Sequence, residues 1–78
     1  MELTFEDILK ERHPGVQDLY RFFAWDHLPE HLQKTSQVMQ AAAADMIHDL
    51  PDGPELTAGL RKLLEAKDCF VRAALPKG

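Results

Sequence analysis

A lysine stands in the middle of an oily helix face. Residues 60–75 read Leu60-Arg61-Lys62-Leu63-Leu64-Glu65-Ala66-Lys67-Asp68-Cys69-Phe70-Val71-Arg72-Ala73-Ala74-Leu75. At about 100° per residue, Leu56, Leu60, Leu63, Leu64, Phe70, Val71, Ala74 and Leu75 fall on one arc, with Lys67 at its centre. An ammonium is rarely buried without a partner. Two partners fit. One is a carboxylate of the same chain, Asp45 or Asp49, with the lysine stem lying on apolar surface and the head reaching outward. The other is an anion from outside, met in a cleft between subunits. Beside the arc runs a charged strip, Arg61, Glu65, Asp68 and Arg72, holding two opposite-charge pairs at i,i+4 spacing. Self-paired and solvated, such pairs contribute only about a few tenths of a kcal/mol each. Placed in a subunit interface or pocket wall, Arg61 or Arg72 would instead hold a phosphate.

The aromatic cluster Tyr20, Phe22, Phe23 and Trp25 has the same two readings. It is core in a small chain, or a platform on which a nucleobase stacks for roughly 1–3 kcal/mol. Thr35 and Ser36 could meet a base edge or phosphate, although hydroxyls inside helices commonly bond their own backbone. Catalytic motifs are absent: there is no glycine-rich phosphate loop and no nucleophile elbow. His27 and His31 share helical spacing, but Pro29 lies between them, and His13 and His48 are isolated, so no metal site is expected. No cofactor is expected either.

With 78 residues the chain allows one domain, and a domain of this size usually needs close helix packing or oligomerisation for stability. The single cysteine, Cys69, excludes an internal disulfide and fits a reducing cytoplasm. A net charge of −4 argues against duplex nucleic acid, which needs a basic stripe, but not against a small anion in a local cationic pocket. No signal peptide is visible. The weakly polar run from Val38 to Ile47 is too short to span a membrane.

No period-two run of β-branched residues occurs, so the fold expected is all-α. Thr4 and Asp7 form a capping box for a short first helix, stopped at His13-Pro14-Gly15. Val16 to Asp26 reads as a second short helix. Pro29 opens a long helix that runs to about Leu50, with a central stripe of Leu28, Leu32, Met39, Ala42, Met46 and Leu50 and with Val38, Ala43 and Ile47 at its margins. Pro51-Asp52-Gly53-Pro54 turns the chain into a last helix from about Glu55 to Leu75. The expected architecture is one domain over 1–78. Residues 1–27 form the N-terminal helical segment, and residues 28–76 form a helical hairpin of two long antiparallel helices. Two helices cannot cover both stripes, so the remainder falls to the N-terminal segment or to further copies of the chain.

The run Leu63-Leu64-Glu65-Ala66-Lys67-Asp68-Cys69-Phe70-Val71-Arg72-Ala73, closing a hairpin that follows a short aromatic segment, resembles small phage proteins of the anti-CBASS and anti-Thoeris sponge type. The likeness covers roughly residues 20–75. It implies a non-enzymatic homo-oligomer, often a hexamer, in the cytoplasm of an infected bacterium. Such proteins sequester cyclic oligonucleotide or cyclic ADP-ribose signals uncleaved and so block activation of the host's immune effector. The resemblance places the ligand between protomers. It implies stacking by Tyr20 or Phe22, polar contact from Lys34 and Ser36, and phosphate contact from Arg61, Lys67 and Arg72. The competing reading is a helical module that binds a host or phage protein.

Overall fold

Thr4 starts the first helix by the predicted device. Its hydroxyl accepts the Asp7 N–H at 3.2 Å, and the Asp7 carboxylate accepts the Thr4 N–H at 3.1 Å. In the computed structural model, which describes residues 3–75, this box opens α1 (Phe5–Lys10). Three more helices follow: α2 (Pro14–Arg21), α3 (Glu30–Asp49) and α4 (Pro54–Ala74). The described residues are all helix and connection, with no strand among them. The segment boundary expected at residue 76 lies outside them.

The second helix begins earlier and ends sooner than the sequence suggests. His13-Pro14-Gly15 does stop α1, but it also starts α2. The His13 ring accepts the Gly15 N–H at 2.9 Å, and Pro14 takes the first helical position, where its missing N–H is harmless. The helix ends at Arg21, five residues short of Asp26 in the expected span, as the N–H groups of Phe22 and Phe23 turn back onto Leu19 and Tyr20. This tight end drives Phe23 fully into the core and leaves Phe22 outside.

The long helices keep nearly the expected bounds. Pro29 caps α3 from just outside instead of occupying its first turn. At the other ends, Leu50 and Leu75 are extended because each precedes a proline, which disfavours helical backbone in the residue before it.

Packing falls mainly between α3 and α4, with α2 against α4 and α1 against α3. The core comprises Val16, Phe23, Met39, Ala43, Ile47, Leu56 and Leu60. The buried face of α3 is Leu32, Ser36, Met39, Ala43 and Ile47, a correction to the expected stripe. Ala43 and Ile47 move from the margin to the centre and Ser36 joins them, while Met46 and Leu50 are left exposed. The radius of gyration, 13.4 Å, exceeds the roughly 11–12 Å of a compact chain this long, because the molecule is elongated, with extents of 47 × 27 × 17 Å.

Candidate functional site

Lys67 is buried as its place on the arc demands, at 8% exposure. Its partner is neither Asp45 nor Asp49. The ammonium donates to the backbone carbonyl of Phe22 at 2.5 Å. Phe22 closes α2, so the lysine satisfies a carbonyl that the helix leaves open and sits at the negative end of its dipole. The anion is thus replaced by a helix terminus.

Arg12 does the same for α3. Its guanidinium donates to the Ile47 carbonyl at 2.7 Å and lies 3.8 Å from the Asp52 carboxylate. Asp52 also accepts the His13 N–H at 3.0 Å. These bonds fasten the α1–α2 elbow to the α3–α4 turn. Sequence reasoning missed Arg12, because its acceptor lies 35 residues away and is a backbone atom.

The other predicted site residues are dispersed. The Ser36 hydroxyl is fully buried and has no hydrogen-bond partner. Tyr20 is half-buried, with its ring 5.2 Å from that of Phe5 and 6.4 Å from that of Phe23, so it serves the core. Burial pushes its phenol above the ordinary tyrosine value. Phe22 is 58% exposed, its ring open to solvent even though its carbonyl is engaged. The Trp25 N–H donates to Gln40 at 2.8 Å and ties the connection before α3 to that helix.

Lys34, Arg61 and Arg72 are exposed. Among the described residues none of them forms an ion pair, so the Arg61–Glu65 and Asp68–Arg72 pairs expected from spacing are not made. Arg72 instead donates to the Cys69 sulfur at 3.4 Å. No three potential metal ligands cluster among the described residues. No described helix is long and apolar enough to cross a membrane.

Two of the concavities among the described residues bear on these side chains. An open cleft of about 770 Å³ lies where Arg12, His13 and Pro14 face Asp52, Thr57 and Arg61. A smaller groove of about 260 Å³ lies between α3 and α4, lined by Met46, Leu50, Glu55, Leu56, Gly59, Leu60 and Leu63. The first brings Arg61 to a concave surface. Neither contains Tyr20, Phe22, Lys34, Ser36, Lys67 or Arg72. Compared with protein families, with curated proteins and with solved structures, the chain has no match.

Proposed function

We propose that the chain is a non-catalytic sponge: a self-associating helical hairpin that captures a cyclic nucleotide signal between copies and holds it uncleaved. One observation carries this reading. The cations and aromatics suited to such a ligand are scattered over a single protomer, while large apolar side chains remain uncovered. Val38 is 61% exposed and Phe70 53%, with Met46, Leu50 and Leu75 each above 40%. Side chains of this size, gathered on one face, would supply the apolar patch that an interaction surface uses.

The proposed surface follows the helical spacing. With α3 and α4 taken as antiparallel, α1 and α2 cover one side of the pair. Met46 and Leu50 of α3, with Gly59 and Leu63 of α4, line the groove between the two helices, and Phe70 is exposed further along α4. Gly59, with open space around it, is small enough to let another helix approach closely. The apolar arcs are wider than one protomer buries, and further copies would cover the surplus. Assembly would also bring Phe22, Lys34, Arg61 and Arg72 of different protomers within reach of one ligand, as a hexamer of the resembled type requires. A flat aromatic ring and unpaired guanidinium groups suit bases and phosphates respectively. Lys67 reaches such a ligand only by exchanging the Phe22 carbonyl for a phosphate oxygen. The proposed location is the cytoplasm of an infected bacterium, where such signals are made.

A thermal-shift screen against cyclic di- and trinucleotides and cyclic ADP-ribose isomers tests the reading. A ligand at a hundred times its Kd stabilises the folded state by about 2.7 kcal/mol, which is readily visible. The bound compound, released by heat and identified by mass spectrometry, should be unmodified. If no member of the panel raises the melting temperature, the sponge fails. The groove beside Met46 and Leu50 favours the second reading, a module that receives an apolar side chain from a partner protein's helix.

A further inference from the structure

We infer that each protomer carries its own phosphate-binding site in the cleft between the α1–α2 elbow and the first turns of α4, with Arg61 as its cation. This deepens the sponge reading by locating one phosphate contact within a single chain, and it rests on that reading only for the ligand's identity. The cleft, about 770 Å³, is within the size range of small-molecule sites.

The groups already engaged define what a ligand would meet. Asp52 accepts from the His13 N–H and faces Arg12, so its charge is taken up within the wall. Arg12 is committed to the Ile47 carbonyl. The Thr57 hydroxyl donates to the Gly53 carbonyl at 3.3 Å. His13 accepts the Gly15 N–H through Nδ1, so the proton of its neutral ring must sit on Nε2. The free donors of the lining are the guanidinium of Arg61, which has no ion pair among the described residues, and the Nε2–H of His13. Two free donors on one wall suit an oxyanion, and a guanidinium binds phosphate oxygens two at a time. Glu11 is the one acid of the lining with no such engagement among the described residues, and it opposes the ligand.

The test titrates the ¹⁵N-labelled full chain with pyrophosphate and, separately, with a cyclic dinucleotide. Pyrophosphate should produce saturable amide shifts at Thr57, Ala58 and Arg61. Arg61→Gln should weaken its binding about tenfold, the value of one charge-assisted contact, with the melting curve unchanged. Glu11→Gln should tighten it. Absence of saturable shifts in the cleft, or unchanged binding by Arg61→Gln, overturns the site. If pyrophosphate shifts the cleft and no cyclic nucleotide binds anywhere, the site stands and the sponge falls. A cyclic dinucleotide that binds while the cleft amides stay unmoved by either probe overturns the site and leaves the sponge.

Discussion

Replacing Lys67 with methionine separates the ammonium from its stem. Methionine keeps most of the length and apolar contact, so little cavity forms, while the Phe22 carbonyl loses its donor. The bond removed runs from an 8% exposed residue over 2.5 Å. A hydrogen bond with one charged partner contributes roughly 1.5–3 kcal/mol. The position of the charge at the end of α2 adds roughly 0.3–1 kcal/mol. Two effects oppose this loss. The variant no longer buries an ammonium, and that desolvation is of the same order as the gain from pairing it. Water can also reach part of the α2 terminus, because Phe22 is largely exposed. The expected net loss is therefore about 1–2 kcal/mol, equivalent to a melting temperature lower by roughly 5–15 °C in a domain of this size. Lys67→Ala should lose about 3 kcal/mol or more, since it also opens a cavity. Urea unfolding of the ligand-free protein, followed by helical circular dichroism, measures both. A methionine variant as stable as the wild type would refute the reasoning, because the carbonyl bond would then contribute nothing to holding the amine inside.

Other outcomes follow from the same geometry. Ser36→Ala should raise stability by about 1 kcal/mol, since it removes a buried hydroxyl without a partner and improves helix propensity; a loss in urea unfolding would reveal an unrecognised bond. Arg12→Met should lower stability by roughly 1.5–3 kcal/mol and speed hydrogen exchange at the elbow and at the α3–α4 turn, whereas unchanged exchange there would contradict its fastening role. The Thr4 N–H, and then the Thr4 hydroxyl, hold the Asp7 carboxyl below its ordinary value, with a smaller effect from Lys10. A lowered folded-state value means that the capping contribution is complete above the ordinary aspartate range and fades as pH falls through the folded value. Exchange of the α1 amides should therefore accelerate below about pH 4 in wild type but show no such step in Asp7→Asn.

Much of the fold was legible because helix ends are written in short-range chemistry. Thr4 and Asp7 are three residues apart, and Pro51 through Pro54 forbid continuation of a helix, so both signals survive without tertiary knowledge. The start of α2 was misread because one tripeptide, His13-Pro14-Gly15, ends one helix and begins the next, and a stop signal alone does not reveal the second role. The buried face of α3 was misplaced because hydrophobicity ranks Met46 and Leu50 above Ser36, whereas the packing of α1, α2 and α4 selects which side is covered. Lys67 was legible as a buried cation, yet its acceptor was not. Backbone carbonyls are identical at every position, and only the fold brings the end of α2 beside residue 67. For the same reason Arg12 left no trace in the pattern. The exposed apolar surplus, by contrast, follows from arcs wider than a single antiparallel pair can bury.

Sedimentation equilibrium of the purified chain across micromolar concentrations, beside a Val38→Glu/Phe70→Glu variant, tests the central claim that the protomer is completed by its own copies. The account predicts a mass several times that of one chain for the wild type and a folded, dissociated variant with unchanged helical content. A wild type that sediments as a single chain at every concentration would contradict it.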